Sequence, residues 1–180
     1  MLDTTKLRIA SGKFRGQLLK SPNSSVTHPM GAREKLALFN MVDMRGQKVL
    51  DAYAGSGALG IEALSRDASE AVFVENNHQA VQILRQNLQQ LHLAAPIFAE
   101  KVAKFCQNPV FLGYFDVIIA DPPYDNLDTD ELSDLAKLLA PDGALVLSSP
   151  KELGEIALPE LELSSLHTYA RAQISTYYKK

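Results

Sequence analysis

Apolar and polar positions follow two patterns along most of the chain. Short apolar runs are typical of buried strands, and apolar residues that recur every three or four positions are typical of amphipathic helices. The strand-like runs are Lys48–Asp51, Ala71–Glu75, Pro96–Ala99, Asp116–Ala120 and Ala144–Ser148. The helix-like stretches between them are Ala58–Arg66, Asn77–Leu91, Val102–Gln107 and Asp128–Leu139, the last opening on a capping box of Asp128 and Glu131. Because strands and helices alternate, the pattern predicts an α/β fold with a parallel sheet covered on both faces.

The N-terminal residues predict a separate β-hairpin. Leu7–Ser11 and Phe14–Lys20 are strand-like and flank Gly12-Lys13, which suits a two-residue hairpin loop. The alternation of side chains turns Arg8, Lys13 and Arg15 outward, so the hairpin would present cationic groups to solvent. These residues make the hairpin a candidate arm for an anionic partner.

Further segments complete the predicted organisation. After a linker that includes His28-Pro29, a helix is predicted from Gly31 to Val42, with Gly46 ending it. Beyond Pro159 two extended stretches predict a closing hairpin, Leu161–Leu166 and Gln173–Tyr178. The chain would thus consist of an N-terminal extension over residues 1–45 and a core over residues 46–180.

Composition and charge narrow the class of protein. The 180 residues, 46% of them apolar, suit one soluble cytoplasmic domain, and the apolar runs are too short to span a membrane. The single cysteine, Cys106, excludes an internal disulfide, and the scattered histidines predict no metal site. The net charge of −3 is unevenly spread: residues 1–48 carry +6 and the remainder −9. This asymmetry indicates a basic arm for a polyanion on an acidic body.

A glycine-rich turn after the first core strand predicts a nucleotide-like ligand. Gly55-Ser56-Gly57-Ala58-Leu59-Gly60 matches the dinucleotide pattern G-x-G-x-x-G, with Glu75 placed to bind ribose hydroxyls. However, Asp51 precedes the turn, and a carboxylate disfavours pyrophosphate but favours a cation. S-adenosylmethionine fits better, with its sulfonium and ammonium groups near Asp51 and its carboxylate toward backbone N–H groups.

A second motif, Asp121-Pro122-Pro123-Tyr124, follows the buried run Val117–Ala120. Each proline fixes its own φ and lacks an N–H, so the four residues form a stiff arc at the carboxyl end of a strand. The Asp121 carboxylate and the Pro122 carbonyl can accept hydrogen bonds from an exocyclic base amine, and Tyr124 can stack on the base. The two motifs together predict methyl transfer to an exocyclic amine, positioned by this arc.

The two motifs together resemble those of class I S-adenosylmethionine-dependent amino-methyltransferases. The N-terminal run Leu7–Gly16 and Leu38-Phe39-Asn40 further resemble the RsmD-type 16S ribosomal RNA guanine-N2 methyltransferases. That resemblance implies a Rossmann-like, seven-stranded, mostly parallel sheet with one antiparallel strand, and N2-methylguanine in small-subunit ribosomal RNA as the product. The implied partner is this RNA or the assembling small subunit, and the protein is expected to be a monomer.

The resemblance also extends the set of candidate site residues. It adds to the cofactor site the loop residues Ala52, Tyr53 and Ala54 around the glycine turn, Asn76 beside Glu75, and Glu100 and Lys101. Arg33 joins Arg8, Lys13 and Arg15 as a candidate RNA contact. Two segments depart from the family pattern. His28-Pro29-Met30 and Ala32-Arg33 replace an arginine-proline-threonine and an aspartate-arginine pair, and Lys101 falls where an adenine-contacting acid is usual.

The sequence is compatible with other activities. The same Pro-Pro arc serves adenine-N6 methylation of DNA and methylation of protein glutamine, and a non-catalytic S-adenosylmethionine- or RNA-binding scaffold would share the glycine loop. A nicotinamide oxidoreductase is disfavoured by Asp51 and by the lack of a second substrate domain. The residues alone indicate an exocyclic amine; guanine is implied only by the resemblance.

Overall fold

A computed structural model describes residues 5–21 and 30–180, whose strands and helices follow the predicted alternation. The strands are β1 Thr5–Arg8, β2 Leu18–Ser21, β3 Lys48–Asp51, β4 Glu70–Val74, β5 Ile97–Phe98, β6 Phe115–Ala120, β7 Leu139–Pro150, β8 Leu161–Thr168 and β9 Ala172–Lys179. The helices are α1 Ala32–Met41, α2 Ala58–Ser65, α3 His78–Gln90, α4 Val102–Phe105 and α5 Thr129–Lys137. The linker that includes His28-Pro29 lies outside the described residues.

Seven strands form one sheet in the order β5-β4-β3-β6-β7-β9-β8. The strands from β5 to β7 pair in parallel, and β9 is antiparallel to both of its neighbours. The predicted α/β class, the single antiparallel strand and the closing hairpin of β8 and β9 are therefore confirmed. From β3 the chain winds to β4 and β5 on one side, then crosses to β6 on the other. Ligands bind at such a switch point, beyond the carboxyl ends of the strands.

Two apolar layers cover the sheet because successive strand residues point to opposite faces. Val49 and Val117 face the layer that includes α1, α2, α3 and the N-terminal hairpin. Leu50 and Ile118 face the layer built from α4, α5 and an aromatic group around Phe105. Within the described residues no helix is both long and apolar enough to cross a bilayer.

The N-terminal hairpin exists, but the predicted two-residue loop is wrong. Arg8 pairs with Leu18, so residues 9–17 form the connection between β1 and β2. Ile9 is buried, and its N–H and carbonyl bond to Gln17 and Gly16. Gly12 has φ +79° and lies so close to the Ser65 carbonyl of α2 that a Cβ would clash. Contacts with α2, distant in sequence, therefore replace the simple hairpin turn.

Three local predictions also need correction. Helix α1 ends at Met41, and Gly46, with φ +73°, lies in the turn before β3. Strand β7 begins before the predicted turn at Pro141-Asp142-Gly143, which becomes an irregularity within the strand, with Asp142 at φ +60°. Asp128 caps α5 as predicted, but the Glu131 side chain bonds elsewhere, so the capping box is only half formed.

Candidate active site

The two motifs predicted from the sequence meet at the carboxyl edge of the sheet. β3 and β6 are neighbours in parallel register, with Asp51 opposite Ile119, and the Ala52 N–H donates to the Ile119 carbonyl over 2.9 Å. Asp121 follows β6 directly. The glycine loop and the Asp121–Tyr124 arc therefore emerge side by side.

Asp51 lies buried at the end of β3, under the glycine loop. Its Oδ2 accepts a hydrogen bond from the Gly60 N–H over 2.8 Å, and Gly57, at φ +80°, starts α2 in the left-handed region that favours glycine. Burial raises the pKa of Asp51 to about 7; the charges of Asp121 and Glu75 add to this rise, and the Gly60 bond opposes it. A carboxylate in such a position is stabilised by a cation. The ammonium or sulfonium group of S-adenosylmethionine has the required charge.

Glu75, after β4, closes the glycine loop from the side. Its Oε2 accepts from the Gly55 N–H over 2.8 Å, and its Oε1 accepts from the Asn77 N–H over 2.7 Å. Each carboxylate oxygen has a further lone pair, so Glu75 can also accept from ribose hydroxyls. Ala54 is held to β4 by its N–H bond to the Val74 carbonyl, 3.0 Å long. Asn76 is exposed beside this group.

Glu100 and Lys101 lie in the turn after β5. The Glu75 N–H donates to the Phe98 carbonyl over 3.1 Å, so this turn follows the strand next to the loop that carries Glu75. The Glu100 side chain is paired with Lys104 over 2.9 Å, and Lys101 is exposed at the start of α4. The Glu100 carboxylate keeps lone pairs that could accept a further hydrogen bond.

Tyr53 connects the cofactor loop to α5. Its hydroxyl donates to Glu131 Oε1, while Glu131 Oε2 accepts from the Ala103 N–H over 2.9 Å. Burial and the Glu131 carboxylate both raise the pKa of Tyr53 above its usual range, so the phenol stays protonated. Glu131 therefore joins the cofactor loop, α4 and the helix that follows the acceptor arc.

The acceptor arc has one buried proline and one exposed aromatic ring. Pro122 is buried, Pro123 has φ −55°, and Tyr124 opens a 3-10 turn over Tyr124–Asn126 with 40% of its surface exposed. The Tyr124 hydroxyl lies 3.0 Å from Ser148 Oγ on β7, which fixes the ring at its outer end. An aromatic ring held at its hydroxyl, with much of its surface exposed, can stack on a nucleobase.

Asp121 has a pKa raised to about 6. Burial is the main cause, the negative charge of Glu34 on α1 adds to it, and a hydrogen bond from the Ser148 side chain opposes it. Asp121 is therefore mostly ionised at neutral pH but remains basic enough to take a proton.

The sequence predictions missed several polar residues that support the site. Ser148 and Glu34 act on Asp121, Glu131 orients Tyr53, and the buried Glu62 and Asn87 hold the N-terminal hairpin against α2 and α3. Glu62 and Asn87 interrupt the apolar stripes of their helices, and this interruption is the sequence signal that could have identified them as buried polar residues. Ser148 and Glu34 have no such signal because their partner is distant in sequence, and Glu131 was predicted only as a capping residue.

The candidate RNA-contacting residues are exposed but dispersed. Arg8 lies at the end of β1, where its guanidinium donates to the Gly16 carbonyl over 3.0 Å. Lys13 and Arg15 project from the connection that packs on the C-terminal part of α2, and Arg33 lies in the first turn of α1. The structure thus places all four in the N-terminal extension rather than inside the cofactor site.

No metal centre is formed by the described part of the chain. Among residues 5–21 and 30–180, no group of three or more His, Cys, Asp or Glu side chains could hold a metal ion. Cys106 is half-buried, and burial raises the pKa of its thiol to about 12. That thiol is protonated and therefore a poor nucleophile.

The fold and site define a class I, Rossmann-like S-adenosylmethionine-dependent methyltransferase. The family model described as "Conserved hypothetical protein 95" matches residues 7–178, and the chain belongs to this family.

Individual proteins are similar to the chain over most of its length. Ribosomal RNA small subunit methyltransferase D of Haemophilus influenzae is 34% identical, covering 82% of this chain and 80% of that protein. The Escherichia coli protein of the same name is 30% identical over 86% of this chain and 80% of its own length. A solved structure described as "Putative methyltransferase yhhF from Escherichia coli" superposes with a TM-score of 0.88, at 27% identity, over 98% of this chain and 99% of that one.

Proposed function

We propose that the protein transfers a methyl group from S-adenosylmethionine to the exocyclic N2 amine of a guanine in small-subunit ribosomal RNA. The observation that carries this proposal is the placement of Asp51 and Asp121 at the carboxyl ends of neighbouring strands, one beneath a glycine loop and one in a proline-locked arc. The names of the relatives support the RNA class and the small subunit. The protein would work as a cytoplasmic monomer without a metal ion.

The donor half of the site suits S-adenosylmethionine, which supplies an electrophilic methyl group when bound. Asp51 would face the ammonium and sulfonium charges, and the loop Ala52–Gly57 would enclose the methionine part. Glu75, with Asn76 beside it, would accept from the ribose hydroxyls. Glu100 and Lys101 would flank the adenine.

The acceptor half suits a planar amine that must be held in one orientation. The Asp121 carboxylate and the Pro122 carbonyl would each accept one N–H of the amine, so that the nitrogen lone pair points toward the donor half. On gaining the methyl group, with neutral S-adenosylhomocysteine as the leaving group, the nitrogen would become cationic, and Asp121 would stabilise that charge and take the proton. Pro123 keeps the arc rigid, and Tyr124 would stack on the base.

A methyl-transfer assay with several substrates tests the proposal. Label from S-adenosylmethionine is expected on small-subunit particles or their RNA, and nucleoside analysis should recover N2-methylguanosine. Asp121→Ala should abolish transfer while the affinity for S-adenosylhomocysteine changes by less than about threefold, because Asp121 contacts the acceptor. Label found only on DNA or protein, or on adenine, would contradict the proposal. Cofactor binding without any transfer would instead favour a scaffold.

A further inference from the structure

The side chain of Asn87 on α3 joins the N-terminal hairpin to the glycine loop. Asn87 is fully buried. Its Oδ1 accepts from the Lys20 N–H over 2.9 Å, and its Nδ2 donates to the Lys20 carbonyl, also over 2.9 Å. The same Nδ2 donates its second hydrogen to the Ser56 carbonyl over 2.9 Å. One amide group therefore contacts both the strand β2 and the loop predicted to enclose the cofactor.

Asn87 takes the place of a strand on the open edge of β2. Lys20 lies opposite Lys6 in the β1–β2 pair, but its N–H and carbonyl both bond to Asn87. In an antiparallel sheet, a residue of the neighbouring strand forms the same pair of hydrogen bonds, one to the N–H and one to the carbonyl of a single residue. Gln90, one turn further along α3, donates to the Leu18 carbonyl over 3.0 Å. The backbone of β2 is thus fastened to α3 at Lys20 and Leu18, and the Lys20 side chain also donates to Gln86 Oε1 over 3.0 Å.

The glycine loop rests on the same helix. A Cβ at Gly57 would collide with the Leu84 Cδ1 methyl group, so the loop and α3 are in close contact. The Ser56 carbonyl beside it is held by Asn87. A shift of α3 or of Asn87 would therefore move both the loop and the hairpin, since well-packed interiors transmit displacement.

We propose that Asn87 is a positioning residue that couples RNA binding on the N-terminal hairpin to cofactor binding in the glycine loop. The inference rests on the proposed function, since it takes the hairpin as an RNA contact and the loop as the cofactor site. RNA that holds the hairpin against α3 fixes Asn87 and, through it, the Ser56 carbonyl. By linkage, the bound cofactor must improve RNA affinity by the same factor.

Two amide-to-acid variants separate coupling from simple packing. In Asn87→Asp the group that donated to Lys20 and Ser56 becomes an acceptor facing both carbonyls. Gln90→Glu makes the same change of charge on the same helix and disturbs the same strand, but Gln90 does not contact the glycine loop. The measured quantity is the dissociation constant of S-adenosylhomocysteine, by calorimetry, with and without a saturating small-subunit RNA fragment.

In the wild-type protein, RNA should tighten S-adenosylhomocysteine binding by roughly fivefold or more, the lower range of measured couplings. Gln90→Glu should weaken RNA binding but keep this ratio. Asn87→Asp should bring the ratio to within about twofold of one. A wild-type ratio of one, or an unchanged ratio in Asn87→Asp, would overturn the coupling while leaving methyl transfer to RNA intact. If the wild-type protein transferred no methyl group to RNA, the proposed function itself would be overturned, whatever the ratio of the dissociation constants.

Hydrogen exchange in the wild-type protein gives a test that needs no variant. The Lys20 amide bonds to Asn87, whereas the Gly16 amide bonds to the Ile9 carbonyl within the same hairpin. Addition of S-adenosylhomocysteine should slow exchange of the Lys20 amide about fivefold or more and leave Gly16 unchanged. Equal rates for Lys20 with and without the ligand would refute the coupling even if Asn87→Asp failed to fold.

Discussion

Two carboxyl groups, Asp51 and Asp121, lie at the carboxyl ends of the neighbouring strands β3 and β6, and burial raises the pKa of both, to about 7 and about 6. A folded-state pKa above the unfolded value of 3.8 means that the native protein binds protons more tightly than the unfolded chain. The associated stability is present below about pH 4 and is lost as the pH rises through the folded-state pKa. At neutral pH the unliganded protein therefore carries a local destabilisation that a cationic ligand would relieve.

Asp51→Asn should show this destabilisation directly. The amide oxygen can still accept from Gly60, but the buried charge is gone, so the free energy of unfolding should rise by roughly 2 to 4 kcal/mol at pH 8. The gain should shrink as the pH is lowered toward 4, because the wild-type carboxyl group becomes protonated. Urea denaturation at several pH values measures both trends, and S-adenosylhomocysteine affinity should fall. A gain that does not change with pH would show that charge is not the cause.

The pH profile of methyl transfer reports on Asp121. If ionised Asp121 accepts the proton, single-turnover rates should rise with pH through about 6 and level off above it. Glu34→Gln removes a charge that raises the Asp121 pKa, so the midpoint should move to lower pH. Rates measured from pH 5 to pH 9 for both proteins check this. If the midpoint in Glu34→Gln did not move, Glu34 would have no influence on the pKa of Asp121.

At the scale of elements, the buried Glu62 fastens the N-terminal extension to α2. Its carboxylate accepts from the Ala10 and Ser11 N–H groups over 2.8 and 2.9 Å and pairs with Lys35 over 3.2 Å and Arg66 over 3.1 Å. A connecting loop, α1 and α2 thus share one anion. A buried charge with four partners is costly to disturb, because its partners are left unpaired.

Glu62→Gln should therefore be strongly destabilising. The amide leaves Lys35 and Arg66 without their anion, and the free energy of unfolding should fall by about 3 kcal/mol or more. Glu100→Gln removes the anion of a pair with the exposed Lys104, at a partly exposed position, and should cost less than about 1 kcal/mol. Urea unfolding of both variants makes the comparison, and equal losses would contradict the role assigned to Glu62.

The strands and helices could be predicted from the sequence. The changes that contacts with distant residues impose on the loops between them could not. Buried runs such as Val117–Ala120 predicted β6, and Asp128 predicted the start of α5, because those signals are local. The prediction of a two-residue loop was wrong because Glu62 and Ser65, some fifty positions away, supply hydrogen-bond partners to the connection over residues 9–17. The glycine-rich turn and the Asp121–Tyr124 arc could be located from the sequence because each consists of adjacent residues. The residues that tune them lie on other elements.

At the scale of the whole molecule, the positive charge of residues 1–48 lies on an otherwise acidic protein. The connection that bears Lys13 and Arg15 packs at the C-terminal part of α2, whose eight residues span about 12 Å from the glycine loop. Helix α1 contacts both regions, because Lys35 pairs with Glu62 of α2 and the charge of Glu34 raises the pKa of Asp121; Arg33 of the same helix is exposed.

Charge reversal tests this basic arm. The double variant Arg8→Glu with Arg15→Glu should raise the RNA KM by tenfold or more and flatten its dependence on salt, because about two phosphate contacts are lost. Lys137→Glu, at the end of α5 on the opposite face of the sheet, should leave the KM within about twofold, since a distant surface charge is screened. Steady-state kinetics at several salt concentrations make the comparison. An unchanged KM in the double variant would rule out the arm.

The protonated, half-buried thiol of Cys106 has a practical consequence for mapping the RNA path. With a pKa near 12, Cys106 should react slowly with maleimides at neutral pH. A cysteine introduced at an exposed position such as Lys13 would then be the preferred site of labelling. A photo-crosslinker or spin label could be attached there without first removing the native thiol, so that the nucleotides beside the basic arm could be identified one position at a time.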